Sequence, residues 1–466
     1  MAAAPGQRVL QHLLWAEELL NFSEAECRRE FEREFGAYWD QRSGAKKNRP
    51  DVLSLSKPGG ESREVVYYTD RINGRIVFAD SKAELVGWLR NSGSNPSDRE
   101  VLPTLLLRLT RPWTPQEYPE FGRDVLSQLP ETMLRRVLVP GQACPLIFEA
   151  RTQTGPGFVA VLLHGAAERD LVKGFRGIRK VPINRILASF SGRAVQRCPV
   201  IRVDGPWVHG RGHDKAYPAI RSKSVALVGC GGLGGSLAKL LAQTGVGTFL
   251  LIDHDDLTPA NVARHALGMR SVGENKAQAL AQMLRQDFPH IETVTPYAKR
   301  FQRLAARELE AVSNADLIIS AGIDFDGDAQ VDDWRRSLAT PPPHLCTWTE
   351  AYAIVGHAVL LYGAESLISG FDERERPLFR LTEWPDDGKA LVVEAGCGNQ
   401  FQPHGAIDLQ ATVVLAARLA IDVLLGRVPT SCRRVWQGDL AAVVANGGTS
   451  TPDFSASNVA RESAWY

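Results

Sequence analysis

The sequence predicts an α/β protein whose C-terminal half builds a mainly parallel sheet, preceded by an α+β N-terminal domain. Three apolar runs carry that expectation. The first, from Val225, passes through Gly229, Gly231, Gly232 and Gly234 into a helical stretch from Ser236 to Gln243. The second, Thr248 to Ile252, ends at Asp253, and the third, Asp316 to Ser320, runs into Ala321-Gly-Ile-Asp324. Glycines or an acid at the C-terminal ends of such strands lie where open α/β sheets bind ligands.

The spacing Gly229-x-Gly231-x-x-Gly234 predicts a Rossmann-type phosphate turn. Glycine lets the backbone bend sharply, approach phosphate oxygens without an intervening side chain, and pack the helix closely on the strand. The helix N-terminus then points unpaired N–H groups at an anion. Asp253 follows at the interval where a carboxylate meets ribose hydroxyls, which by itself suggests a dinucleotide. Asp255, Asn261, Arg264 and Lys276 then argue for different chemistry. Hydride transfer gives this series no task, whereas cleaving a triphosphate requires cations and amide donors around developing charge. Arg264 and Lys276 supply positive charge, Asn261 a phosphate hydrogen bond or help in metal positioning, and Asp324 a candidate Mg²⁺ ligand. Taken singly they read as surface cations, a turn or cap asparagine and a loop acid. Their order argues for a site.

The ordered series Gly229-x-Gly231-Gly232-x-Gly234, Asp253-x-Asp255, Asn261-x-x-Arg264 and Gly273-x-x-Lys276 resembles the ubiquitin-activating superfamily, which includes the sulfur-carrier adenylyltransferases of thiamine and molybdopterin synthesis. Asn261 to His265 and Ile323-Asp324, with isoleucine in place of glycine, are most similar to activating enzymes of bacterial ubiquitin-like conjugation operons linked to antiphage defence. The likeness runs from near Pro206 to near Gly426. It implies a Rossmann-like adenylation domain over residues 206–447, with Asp253 on the ATP ribose, Asn261, Arg264 and Lys276 on the phosphates, and Asp324 on Mg²⁺. It further implies that Arg211 acts as an arginine finger on an ATP phosphate, often from a partner subunit.

Cysteine decides whether such an enzyme also forms a thioester. The seven cysteines are Cys27, Cys144, Cys198, Cys230, Cys346, Cys397 and Cys432, with no Cys-x-x-Cys pair, so the superfamily's structural zinc is not expected. An odd count, no signal peptide and no apolar run of membrane length favour a cytoplasmic setting with free thiols. Cys397 lies in Glu-Ala-Gly-Cys397-Gly-Asn before an apolar helix from Ala406 to Leu425, where the family places its reactive cysteine. Glycine neighbours give access, and a nearby helix N-terminus lowers a thiol pKa. The expected catalytic-cysteine loop spans residues 385–405. Cys346 competes as acyl acceptor but reads as core, and Cys230, inside the phosphate turn, reads as packing.

Residues 1–205 carry an amphipathic helical stretch from Val9 to Phe35, expected to dock on the core through Leu10, Leu13, Leu14, Leu19 and Leu20. A loop follows over Asn48 to Ser62. Glu64 to Thr69 and Arg75 to Ala79 predict a hairpin turned by Asn73-Gly74. Ser81 to Leu89 predicts a short capped helix, Val101 to Leu109 an apolar element, and Pro145 to Glu149 and Gly157 to His164 two strands. This half reads as an inactive adenylation-like scaffold that docks a partner, or as a fused conjugating domain. Neither Cys27 nor Cys144 follows the asparagine a conjugating enzyme needs. Residues 448–466 read as a flexible tail.

With 54 Lys and Arg against 53 Asp and Glu, the overall charge attracts neither nucleic acid nor an anionic membrane. The functional expectation is ATP- and Mg²⁺-dependent adenylation of the C-terminus of a ubiquitin-like protein, then thioester formation on Cys397 and transfer to a conjugating enzyme. A homodimer and bacterial antiviral defence are expected with it. The alternatives are adenylation without a thioester, serving sulfur transfer or peptide or tRNA modification, a fused activating and conjugating enzyme, and a nucleotide-binding scaffold without catalysis.

Overall fold

A computed structural model describes residues 5–41, 49–173, 181–385, 392–393, 400–401, 403–454 and 457–464. The chain divides into two compact units, one of residues 1–90 and 94–208, the other of residues 91–93 and 209–466.

Seven strands close into a barrel in the first unit: β1 (Asp51–Ser54), β2 (Arg63–Asp70), β3 (Arg75–Ala79), β4 (Val101–Arg108), β5 (Ala143–Thr152), β6 (Gly155–His164) and β7 (Gln196–Arg202), in the order β1-β3-β2-β4-β5-β6-β7. The expected hairpin is β2–β3, in register from Asp70↔Arg75. Its turn is held by the Asp70 carboxylate, which accepts the N–H groups of Ile72 and Asn73 at 3.0 and 3.1 Å. Gly74 supplies the left-handed residue at φ +63°. Ser81 caps the following helix, its hydroxyl accepting the Glu84 N–H at 3.2 Å.

Four expectations for the flanking segments are corrected. The stretch from Val9 to Phe35 is not one helix but belongs to three, Pro5–Leu20, Glu24–Arg33 and Phe35–Gln41. The break falls where Ser23 and Glu26 form a capping box that starts a new helix. Nor are Leu10, Leu13 and Leu14 docked: they are 58%, 62% and 55% exposed. The core contact comes instead from Phe35 and Trp39, the latter donating its indole N–H to the Cys198 carbonyl at 2.9 Å. The loop expected over Asn48 to Ser62 contains β1, which pairs in parallel with both β3 and β7 and thereby closes the barrel. The closed barrel, with three parallel and four antiparallel pairings, is unlike the open parallel sheet of an adenylation-like scaffold, so that reading of the first unit is withdrawn.

The second unit is an α/β sandwich around a mainly parallel sheet. Strands β8 (Ser224–Val228), β9 (Thr248–Ile252), β10 (Thr293–Tyr297), β11 (Leu317–Ala321) and β12 (His344–Thr349) run parallel in the order β10-β9-β8-β11-β12. β13 (Val355–Leu361), Cys432–Gln437 and Val459–Ala464 extend it antiparallel. The helices Gly232–Gln243, Lys276–Asp287 and Ala406–Leu424 bury Leu237, Leu280 and Val413 in one core. Phe301, Val312 and Val331 belong to a second core, with Ala226 and Ile318 of the sheet. Residues 448–466 are therefore not a free tail: Thr449–Ser450 pairs with Thr382–Glu383, and Val459–Ala464 is a sheet strand in register from Cys432↔Ala464.

Among the described residues no helix is long and apolar enough to cross a membrane. Below the sheet, His209 stacks on Tyr217 and its Nε2 faces His290 Nε2 at 2.7 Å. Burial, with the second imidazole alongside, pushes His290 down to about 4 from 6.5. The unfolded chain then takes up this proton first, so the associated stability is present above about pH 6.5 and is lost as pH falls towards 4. Urea titrations across that range are expected to show the midpoint falling with pH, and His290→Gln to flatten the fall.

Candidate functional site

The sheet order reverses between β8 and β11, so the chain leaves their C-terminal ends in opposite directions and opens a crevice there. A cleft of about 310 Å³ occupies that place, lined among others by Gly229, Gly231, Asp253, Asp255, Lys276, Lys299, Arg300 and Asp324.

The glycines divide by task. Gly229 lies at φ +88°, and a Cβ there would stand 2.6 Å from the Ala321 carbonyl oxygen. At Gly234 a Cβ would fall 1.9 Å from the Gly229 carbonyl oxygen, so this glycine sets the helix on the strand. Gly232 faces the Arg264 carbonyl and Leu409. Only Gly231 looks into open space, with nothing within 4 Å of a Cβ. The helix Gly232–Gln243 starts four residues earlier than the sequence suggested, so its first amides belong to the glycine turn itself.

Asp253, 9% exposed at the end of β9, fastens this turn. Its Oδ2 accepts the Cys230 N–H at 2.7 Å and its Oδ1 the Asp255 N–H at 2.8 Å. Each oxygen retains acceptor capacity for a further donor. From the other side His265 Nδ1 accepts the Leu267 N–H at 3.0 Å, which leaves Nε2 to donate to the Cys230 carbonyl at 2.7 Å. Burial lowers the His265 pKa and keeps that neutral form.

Lys276 is the first residue of the helix Lys276–Asp287, where a cation opposes the helix dipole. It is held there by Asp255, whose Oδ2 lies 3.0 Å from Nζ and whose carbonyl accepts the Lys276 N–H at 2.9 Å. Asn275 caps the helix and donates from Nδ2 to the Asp253 and Asp255 carbonyls, at 3.1 Å each. Asp324 caps the helix Phe325–Arg336: Oδ1 accepts the Gly327 N–H at 2.7 Å, and the exposed carboxylate faces the cleft. A hard oxygen donor so placed fits Mg²⁺.

Three expected residues stand apart from the cleft lining. Asn261 Oδ1 accepts the N–H and O–H of Thr258 at 3.1 and 3.0 Å, closing the 3₁₀ turn Pro259–Arg264. Arg264, at the end of that turn, lies beside Gly232 with no ion pair among the described residues. Arg211 is exposed in a left-handed turn at φ 54°. Cys397 and most of the 385–405 loop lie outside the described residues. The segment before it is anchored by Glu350, whose Oε1 accepts the Leu381 N–H and whose Oε2 accepts the Thr382 N–H, both at 2.8 Å. Cys230 and Cys346 are fully buried, and burial raises both thiols well above the usual range.

Sequence reasoning missed three contributors, Asn275, Lys299 and Arg300, and quoted His265 in a motif without giving it a role. Lys299 and Arg300 follow β10 and bring two cations to the cleft, Lys299 paired with Glu308 at 2.8 Å. Their signal was a basic pair just after a strand end. Asn275 was legible as a helix cap next to Lys276.

The model of the ThiF family matches residues 209–370, a span that holds the glycine turn, the Asp253–Lys276 series and Asp324. This segment is a ThiF family domain. The chain is 28% identical over 243 residues to the ATP-dependent ubiquitin transferase-like protein Cap2 of Pseudomonas aeruginosa, covering 50% of this chain and 42% of that protein. It is 36% identical over 223 residues to Cap2 of Enterobacter hormaechei, covering 46% and 35%. To ubiquitin-like modifier-activating enzyme 5 of Rattus norvegicus it is 29% identical over 163 residues, covering 32% and 39%. The chain thus spans less than half the length of these relatives. The resemblance read from the ThiF domain's motifs holds at the level of the family.

Within the ThiF domain, Gly234→Ala is expected to cost ~3 kcal/mol or more in chemical denaturation, because the new methyl meets backbone that cannot yield. Gly231→Ala, which meets nothing, is expected to stay within about 1 kcal/mol of the parent.

Proposed function

We propose that this protein activates the C-terminus of a ubiquitin-like protein by ATP-dependent adenylation and then takes the acyl group onto Cys397. The observation that carries the adenylation reading is the convergence of Gly231, Asp253, Lys276 and Asp324 on one cleft at the sheet's switch point. ATP suits this cleft because it offers amides and cations for phosphates and a carboxylate for ribose hydroxyls.

In the proposed reaction, a carboxylate oxygen of the modifier attacks the α-phosphorus of ATP, the bond to the β-phosphate oxygen breaks, and pyrophosphate leaves. Lys276, kept beside Asp255, offsets charge gained by the phosphates. Arg264 adds a second cation from next to the glycine turn. Arg211, exposed and outside its own chain's cleft, suits delivery to a second copy, which makes a homodimer part of the proposal. Mg²⁺ bound through Asp324 would supply further charge neutralisation. The Cys397 thiolate then attacks the acyl carbonyl, AMP departs, and the thioester is ready for a conjugating enzyme. The likeness to Cap2 and to ubiquitin-like modifier-activating enzyme 5 supports a protein modifier over a small acid. A place in bacterial antiviral defence, implied by the resemblance of the Asn261 to His265 and Ile323-Asp324 motifs, is part of the same proposal.

ATP–pyrophosphate exchange tests the site. Asp324→Asn and Lys276→Ala are each expected to lower exchange by about 100-fold or more. Cys397→Ala is expected to keep exchange while losing a thiol-sensitive adduct with the modifier on a non-reducing gel. Exchange with no adduct in the parent protein would reduce the reading to adenylation alone.

A further inference from the structure

The Asp255 carboxylate serves two basic neighbours: Oδ2 pairs with Lys276 Nζ at 3.0 Å, and Oδ1 lies 3.2 Å from His254 Nε2. All three residues line the cleft. Facing a carboxylate oxygen, His254 Nε2 carries a proton, so the imidazole donates to Asp255 in either of its charge states. The Asp255 backbone is fixed on both sides, its N–H given to Asp253 and its carbonyl receiving the Lys276 N–H at 2.9 Å. The carboxylate therefore stays at the cleft wall when the Lys276 side chain turns to a ligand.

That placement sets up a conflict. Lys276 has to serve a phosphate, yet in the empty cleft its charge is matched by Asp255. Its side chain is 12% exposed, which confines the ammonium to the neighbourhood of this carboxylate. As the ammonium gives part of its charge to a phosphate, Asp255 is left as a less compensated anion beside a polyanion, and like charges at short range repel. We propose that His254 is a positioning residue, which holds the Asp255 carboxylate by Oδ1 and so releases Lys276 to bind the triphosphate. This role deepens the reading of the cleft as an ATP site and rests on it. His254 needs no contact with the nucleotide, because it acts through Asp255 on Lys276. The pair of His254 and Asp255 is half-exposed, and such pairs add little to stability. Its removal is thus expected to leave the fold intact and to show at the cleft.

The test is calorimetric titration of the full chain with α,β-methylene-ATP and Mg²⁺, which reads nucleotide affinity without turnover. His254→Ala is expected to weaken binding by about tenfold, the scale of one hydrogen bond to a charged group. His254→Gln, whose amide Nε2 still donates to Oδ1, is expected to stay within about twofold of the parent. In an Asp255→Asn background, where the carboxylate charge is gone, His254→Ala is expected to change affinity by less than about twofold, the non-additivity of residues that act on one another. An affinity unchanged in His254→Ala overturns the proposal, and so does a loss in His254→Gln as large as in His254→Ala. A full tenfold loss in the Asp255→Asn background also overturns it, since His254 would then act without the carboxylate. A folded parent chain that does not bind the analogue removes the ATP reading and this role together, whereas a parent that binds it and is indifferent to His254→Ala removes this role alone.

Discussion

The carboxylate of Asp253 holds the site together. It grips the backbone N–H of Cys230 with one oxygen and that of Asp255 with the other, so the glycine turn after β8 and the chain leaving β9 form one piece. Lys276 inherits its position from this contact, because the residue it pairs with, Asp255, is the one whose amide Asp253 holds. A buried carboxylate that receives two charge-assisted hydrogen bonds from backbone resists displacement far better than a surface ion pair. The two strand ends are thus fixed before any ligand arrives, which is what a site working by electrostatic preorganisation needs.

The second unit was largely legible in the sequence because its constraints are local. The runs at Val225, Thr248 and Asp316 lie in β8, β9 and β11, for a parallel strand buried on both faces has to be apolar throughout. Gly229 and Gly234 stand at contacts that no other residue tolerates. What escaped the reading was non-local. Lys299 and Arg300 reach the cleft only because β10 lies next to β9, a neighbour relation that composition does not reveal. Asn261 illustrates the opposite case: its oxygen does the capping work that a plain reading of Thr258 to Asn261 would assign.

The first unit was less legible for the same reason. Four residues, Asp51 to Ser54, embedded among proline, glycine, serine and lysine, carry too little pattern to announce a strand, yet their pairing with β3 and β7 closes the barrel. Barrel closure is a property of long-range register, paid in neither local propensity nor period. The leucines near the N-terminus mislead in the other direction. Their helical spacing is real, and the helix forms, but amphipathicity alone does not name the surface that receives it.

The last sheet strand, Val459–Ala464, has a practical consequence for handling the protein. It covers Cys432–Gln437, whose N–H and C=O groups would otherwise face solvent as an open sheet edge. Shortening the chain before residue 459, as one might for a segment rich in serine, threonine and proline, would expose that edge to pairing with other chains. Solubility is the property such a truncation would damage, and crystallisation or tagging strategies for this molecule should leave those residues in place.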